Sequence, residues 1–249
     1  MQSLEIINFL QKTFLATGKK NAVIAVSGGI DSAVSLSLLA KALPKEQIWP
    51  ILLPYHRQDM TDAIAILDFW QLPESNRKIL NIASVVDALC KSLQVEDDDQ
   101  VRKGNLMART RMITVFDYAK SKDALVVGTE NKSEHYLGYF TRFGDAASDL
   151  EPLVHLYKTQ VRQLAQELAL PEIFLQKAPS AGLWENQSDE LEFGFSYELA
   201  DQVLSYLIDR KLSQAEILEL FSKDEREAVQ KILARVESMS FKHQVPYKL

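Results

Sequence analysis

Ala22-Val23-Ile24-Ala25-Val26-Ser27-Gly28-Gly29-Ile30-Asp31-Ser32-Ala33 is the stretch on which the reading of this chain turns. Its first five residues form a compact apolar run rich in β-branched side chains, short enough for a buried parallel strand. Beyond the glycines, Val34, Leu36, Leu38 and Leu39 begin a helix. Strand, Gly-Gly turn and helix start together make an anion cradle. Gly28 and Gly29 let backbone approach a ligand closely, and the free amides at the helix start point at negative charge. Ser27 and Ser32 add hydroxyl donors. Asp31 is the odd member, because a carboxylate beside a polyphosphate is repelled unless a divalent cation takes oxygens from both. The stretch therefore asks for a nucleotide with Mg²⁺. The competing account is a plain strand-to-helix turn in which Asp31 or Ser32 only caps the helix.

Working outward, the 249 residues are 47% hydrophobic and 25% charged, which suits one large α/β domain over 1–249 with no need of disulfides or a structural metal. The net charge of -6 argues against a general nucleic-acid binder. Cys90 is the only cysteine and lies in the helical apolar pattern Val85-Val86-Asp87-Ala88-Leu89-Cys90. It reads as a core residue rather than a nucleophile, which leaves no cysteine-based glutaminase in the chain. No signal peptide, transit peptide or long apolar span appears, so the expected location is the cytoplasm, with no membrane contact.

Leu4 to Leu15 carries apolar residues at helical spacing and reads as a first amphipathic helix ending near Gly18. A second strand is expected over Ile48–Leu53, with Pro50 at odds with its start. The polar segment Tyr55 to Asp59 then follows a strand's carboxyl end, where ligands of open α/β sheets bind. Asp62 to Trp70 reads as helix, Lys78 to Ile82 as a third strand, and Ser84 to Leu93 as another helix. The acidic run Glu96-Asp97-Asp98-Asp99 suits a solvated loop. On the helix after it, Arg109 shares a stripe with Leu106 and Ile113 while Arg111 points elsewhere. Arg109 is read either as pairing with an anion or as an ordinary surface arginine.

Ala124–Thr129 is a fourth apolar strand, followed by the polar cluster Glu130-Asn131-Lys132-Ser133-Glu134. If two strand ends meet across the sheet, Glu134 comes near the same Mg²⁺ as Asp31; taken alone, it is a helix-start acid that suits the dipole. Gly138 to Asp149 mixes aromatics, charge and glycine without a period, as a substrate-binding loop does. Lys158 opens a helix with Val161, Leu164, Ala165 and Leu168 on one face, a small misplacement against the dipole that makes sense if it reaches a phosphate. Lys177 to Glu190 is a long loop with proline, glycine and Trp184. Ser196, Ser213 and Asp224 look like the starts of three C-terminal helices, Ser213-Gln214-Ala215-Glu216 being a capping box.

The Ser-Gly-Gly-x-Asp-Ser turn resembles the PP-loop of the ATP pyrophosphatase superfamily, which cleaves ATP between the α and β phosphates. Three further blocks make the resemblance specific. Lys103-Gly104-Asn105 with Ala108-Arg109-Thr110-Arg111-Met112 is similar to the second motif of NAD synthetases. Val127 to Glu134 with Gly138-Tyr139-Phe140-Thr141 resembles the third, and Lys177 to Trp184 with Gln187 to Glu190 resembles the mobile loop. The blocks occur in family order from Ser27 to Tyr197.

The resemblance implies an open parallel sheet with helices on both faces, of the adenine nucleotide alpha-hydrolase-like PP-loop type, with a helical C-terminal part. It also implies a homodimer with the pocket near its interface, and an enzyme of the ammonia-dependent NAD synthetase type. Ser27, Gly28, Gly29, Ile30, Asp31, Ser32, Thr129, Lys158 and Ser180 would bind ATP, Asp31 and Glu134 would hold Mg²⁺, and Asp31 and Lys158 would be catalytic. Arg109, Arg142 and Asp149 would contact a deamido pyridine nucleotide, with Phe241 and Lys242 at its far side. Three positions depart from the family pattern. Arg142 stands where lysine is common, Ala146-Ala147-Ser148 replaces a glycine-containing stretch, and Phe241 replaces a polar residue in Ser240-Phe241-Lys242-His243. Amidation of deamido-NAD is expected slightly ahead of amidation of nicotinate mononucleotide, with ammonia from solution or from a separate glutaminase. A GMP synthetase, a tRNA-modifying enzyme and a non-catalytic ATP-binding module are the competing readings. The acidic chain and lone cysteine oppose the tRNA reading, and Asp31, Glu134 and Lys158 together oppose the non-catalytic one.

Overall fold

The computed structural model describes residues 2–180, 182–184 and 187–248. Parts of the expected 177–190 loop at Ala181, Glu185 and Asn186 therefore lie outside the described residues, as do Met1 and Leu249 at the ends of the expected domain. The first half runs α1 (Gln2–Thr17), β1 (Asn21–Ala25), α2 (Ile30–Ala42), β2 (Ile48–Leu52), α3 (Thr61–Phe69) and β3 (Lys78–Ile79). Then come α4 (Ala83–Ser92), α5 (Gln100–Ser121), β4 (Ala124–Val127), α6 (Lys132–Leu137) and α7 (Lys158–Glu167). The C-terminal part is helical: α8 (Glu172–Gln176), α9 (Asp189–Phe193), α10 (Tyr197–Leu204), α11 (Gln214–Glu219) and α12 (Arg226–Met239).

The four strands form one parallel sheet in the order β3-β2-β1-β4. Alternation along β1 sends its side chains to both faces. Ala22 and Ile24 join a core built with α1, α2, α7 and α8, while Val23 joins a second core with α4 and α5. Both faces are thus covered, as a parallel sheet requires. A third cluster, around Tyr197, Ala200, Ile217, Val229 and Ile232, holds the C-terminal helices together and reaches α6 through Leu137.

Pro50 is accommodated by the register. Ile51 turns its carbonyl to β1, accepting from the Val26 N–H at 3.0 Å, and Leu52 turns its own to the β3 side, accepting from Leu80. By alternation Pro50 faces the β3 side as well, where β3 pairs only from Ile51 onward, so no ladder hydrogen bond is lost. The Asn76 side chain donates to the Ile48 carbonyl there, at 3.0 Å. The third strand is shorter than its apolar run suggests: only Lys78–Ile79 is strand, both residues exposed at the edge.

Ser196 and Ser213 do open α10 and α11, and Ser213 forms its capping box with Glu216. The last helix starts at Arg226, two residues after Asp224. Cys90 is half-buried against the α4–α5 core rather than within it.

Candidate active site

The turn after β1 has the backbone that its glycines permit. Gly28 sits at φ +81, and a Cβ there would lie 3.0 Å from the Ala63 nitrogen and 3.0 Å from the Asp62 Cβ, so only glycine lets α3 pack this close. Gly29 is the extended N-cap of α2, and no side chain caps that helix. The competing account of Asp31 or Ser32 as a simple cap therefore fails. Ser32 Oγ instead donates to the Gly29 carbonyl at 2.9 Å, and Ser27 Oγ accepts from the Gly29 N–H at 3.2 Å, a network that sets the turn's shape.

Because β1 and β4 are neighbours, Asp31 at the head of α2 meets Glu134 in the first turn of α6. Between them lies Lys158, whose side chain is only 3% exposed. Its ammonium is 2.6 Å from Asp31 Oδ2 and 3.0 Å from Glu134 Oε1. Asn131 donates its side-chain N–H to Asp31 Oδ1 at 2.9 Å. The helix-start reading of Glu134 holds, and its carboxyl does meet Asp31, with the Lys158 ammonium between them. Oε1 takes Lys158, while Oε2 and Asn131 close the capping box of α6. Lys158 is fixed from its backbone outward, since its N–H donates to Ser133 Oγ at 2.8 Å and the Ser133 hydroxyl bonds the buried Asp201. The Tyr197 ring lies 5.3 Å from the ammonium, and its hydroxyl donates to the buried Asp189 at 3.1 Å.

Burial pushes the Glu134 carboxyl up to about 8, with Lys158 opposing and Asp31 reinforcing the rise. For Lys158, burial pulls the ammonium down, but Asp31 and Glu134 outweigh it and hold the group above its ordinary range. The cluster keeps its cation at every physiological pH.

These residues wall a cavity of about 670 Å³, in the range of nucleotide-sized sites. Ser27, Gly29, Ile30, Asp31, Ser32, Thr129, Glu134, Lys158, Ser180, Phe241 and Lys242 all line it. Lys242 donates to the carbonyls of Gly138 at 2.5 Å and Phe140 at 2.8 Å, pinning the C-terminal segment across the mouth. Arg142 does not line the cavity; its guanidinium backs the Phe241 ring at 5.1 Å.

Gly28 is also not among the lining residues, and two further expected residues lie elsewhere. Arg109 is exposed on the outer stripe it shares with Ile113, itself 63% exposed, and its Nε donates to the Arg142 carbonyl at 3.3 Å. Asp149 accepts the Val126 N–H at 2.7 Å and so serves the sheet edge. Arg111, read as pointing away, points into the cavity, donating to the Leu53 carbonyl at 3.1 Å and to Gln58 Oε1 at 2.9 Å. Asp145 also opens into the cavity and accepts the Thr141 N–H at 2.9 Å. The Tyr55 to Asp59 segment touches the 177–190 loop, Gln58 donating to the Gly182 carbonyl at 3.0 Å, and Lys177 bonds Asp62 of α3 and the Gly28 carbonyl. Sequence reasoning assigned no individual role to Asn131, Arg111, Gln58, Asp145 or Asp189, although Gln58 and Asp145 lie in segments it read as ligand- and substrate-binding. Only Asn131, as the N-cap before Glu134, carried a local signal.

A parallel sheet whose interior strand ends in an uncapped, glycine-bent helix start, beside a buried acid–ammonium cluster, is an α/β architecture of the PP-loop type. The NAD synthase family model matches residues 3–246. An NH3-dependent NAD+ synthetase of Thermococcus sibiricus is 41% identical over 214 residues, 86% of this chain and 83% of that one. Among solved structures, NMN synthetase from Francisella tularensis superposes with a TM-score of 0.84 at 34% identity, covering 100% of this chain and 97% of that one. NH3-dependent NAD synthetase from Campylobacter jejuni does so at 0.82 and 30% identity, covering 100% and 97%. The chain belongs to the NAD synthase family, and it is an enzyme of the ligase class.

Proposed function

We propose that this enzyme amidates the nicotinate carboxylate of a deamido pyridine nucleotide with ammonia, converting ATP to AMP and pyrophosphate. The observation that carries the reading is the Asp31–Lys158–Glu134 cluster at the open helix start facing the cavity. A carboxylate is a poor acyl electrophile because its leaving group would be an oxide. Transfer to AMP supplies a good leaving group, and ammonia then attacks to form the amide. In this reading the amides and hydroxyls of Ser27 to Ser32, with Thr129, Ser180 and Lys158, hold the ATP phosphates. Lys158 places its ammonium where charge grows on departing pyrophosphate.

The donor set fits Mg²⁺. That ion takes one or two protein carboxylates and completes its shell with phosphate oxygens and water, and Asp31 and Glu134 converge on one point. Among the described residues no group of three or more metal-ligating side chains exists, which suits a cation shared with a nucleotide rather than a resident one. Bound there, Mg²⁺ would supply charge neutralisation between the phosphates. Phe241, backed by Arg142, and Lys242 form one wall for the pyridine substrate. Arg111 and Asp145 line the cavity where Arg109 and Asp149 do not, and they take over those substrate roles. The Gln58–Gly182 contact keeps water from the adenylate.

No cysteine lines the cavity among the described residues, which favours free ammonia, whether from solution or from a separate glutaminase partner. Exposed Val85, Leu89, Leu93, Val101 and Ile113 around α4 and α5 favour a homodimer through that face. Among the described residues no helix is long and apolar enough to cross a membrane, and with the lone cysteine this favours a cytoplasmic enzyme.

Deamido-NAD, giving NAD+, is the preferred substrate in this reading, on the relatives' activity. The second reading is nicotinate mononucleotide, favoured by the fit to the Francisella NMN synthetase and by Phe241 in place of a polar contact. Phosphorus NMR of the reaction tests the chemistry, since ADP and orthophosphate as products would reject it. Comparing kcat/KM for both substrates at saturating ATP and ammonia tests the choice. A preference of about tenfold for the mononucleotide, 1.4 kcal/mol of transition-state binding, reverses the order.

A further inference from the structure

Glu151 lies outside the machinery described above, yet its carboxyl stands directly behind it. Its Oε2 accepts the Glu130 N–H at 3.0 Å, and its Oε1 accepts the Ser148 hydroxyl at 2.7 Å. The carboxyl fills the space a side chain at residue 128 would need, since a Cβ on Gly128 would meet Oε1 at 1.8 Å. Gly128 has no positive φ, so a side chain there is opposed only by the Glu151 carboxyl, which would have to leave its hydrogen bonds to admit one. Gly128 also lines the nucleotide cavity, next to Thr129. Behind, Glu151 shares the wall of a separate cleft with Glu5, Phe9 and His155. Glu151 therefore stands between an outer cleft and the glycine that lines the nucleotide cavity.

Its two hydrogen-bond donors are an amide and a hydroxyl, neither a cation. The charged groups that face it from the turn and the preceding loop are Glu130 and Asp145, and Glu5 of α1 and His155 stand across the outer cleft. Burial, opposed by the Ser148 hydroxyl and reinforced by Glu130, pushes the carboxyl up to about 8.

We propose that Glu151 is a positioning residue for the nucleotide site, holding the 128–131 turn while uncharged, and that its ionisation weakens nucleotide binding. The inference rests on the nucleotide reading of the cavity. Neutral, the carboxyl fills the niche and anchors the turn that carries Thr129 and leads to Asn131. Ionised, it sets an unpaired buried charge beside Glu130 and Asp145, and one glycine from the phosphates.

The test is the dissociation constant of α,β-methylene-ATP with Mg²⁺, by calorimetry at pH 7 and pH 9, for the wild type and Glu151→Gln. Glutamine keeps the shape and cannot ionise. Glu134 and every other group titrate in both proteins and cancel in the ratio of the two constants. That ratio is expected near one at pH 7 and about ten, in favour of the variant, at pH 9. A ratio that does not change with pH overturns the proposal. Gly128→Ala checks the contact independently: it should weaken binding in the wild type and far less in Glu151→Ala, where the added methyl enters a vacated niche. Additive losses overturn the positioning role. If the wild type binds no analogue at either pH, the nucleotide reading itself falls and this inference with it.

Discussion

Replacing Lys158 with methionine removes the one cation between Asp31 and Glu134 while keeping most of the side chain's volume. With the ammonium gone, nothing opposes the rise that burial and Asp31 impose on Glu134, so in the variant its carboxyl keeps its proton at pH 7. The charge left stranded is then that of Asp31, whose remaining side-chain partner is Asn131 at 2.9 Å. Removing one member of a buried pair costs about 3–5 kcal/mol, and Lys158→Met is expected to lose that much in urea unfolding at pH 7. The pH dependence has a definite sign. A carboxyl raised in the folded state contributes stability that is full below its ordinary value of 4.5 and is lost as pH rises through the folded one. In the wild type that loss ends near pH 8, where Glu134 ionises against the ammonium. In the variant no cation receives it and the loss continues, so the gap widens between pH 8 and 9. A divalent cation should then take the vacated place without nucleotide. Mn²⁺ at a hundred times its dissociation constant restores about 2.7 kcal/mol to the variant and little to the wild type, whose ammonium already occupies the place between Asp31 and Glu134. A stability loss below about 1 kcal/mol, within the reach of an exposed pair, would refute the buried cluster. Equal stabilisation of both proteins by Mn²⁺ would refute the competition between ammonium and metal.

Three further outcomes follow from the cavity walls. Gly28→Ala forces a left-handed φ and a 3.0 Å approach to the Ala63 nitrogen. It should cost about 1–3 kcal/mol in thermal unfolding and raise KM for ATP, and an unchanged KM would separate this turn from the nucleotide. Arg111→Met should lower kcat/KM for the pyridine substrate by about 3 kcal/mol, over a hundredfold, while Arg109→Ala stays near wild type; the opposite order would move the substrate site out of the cavity. Gln58→Ala removes bonds to Gly182 and Arg111. Chromatography of products should show more AMP per amide formed, because a loosened lid admits water, and a constant ratio would count against the lid.

The parts of the fold visible in sequence are those fixed by short-range physics. The apolar run before Ser27-Gly28-Gly29 could only be a buried strand feeding a helix, and the full burial of Ala22, Val23 and Ile24, alternately in the cores on the two faces, bears that out. The caps at Ser196 and Ser213 were equally local. What failed depended on rotation or distance. Arg109 and Arg111 sit two residues apart on one helix, and only the packing of α5 against the sheet decides which turns inward. Asp149 reads as a substrate contact until the β4 amide it caps is in view. Nothing near Glu151 signals that it abuts Gly128, because the contact depends on how the chain returns past β4.

The centre of the site shows why such residues resist sequence reading. Lys158 and Asp31 are 127 residues apart and Asn131 and Asp31 are 100 apart, joined because β1 and β4 pair along the sheet's carboxyl edge. Each residue alone has an ordinary explanation: a helix-start acid, a misplaced lysine, an N-cap. Together they bury two acids against one ammonium, an arrangement that packed apolar side chains would commonly better for stability alone. A fold selected only to persist has no need of it. On the proposed reading the charge set has a use: Lys158 turns toward a polyphosphate and leaves Asp31 and Glu134 to a metal, beside a helix start left uncapped.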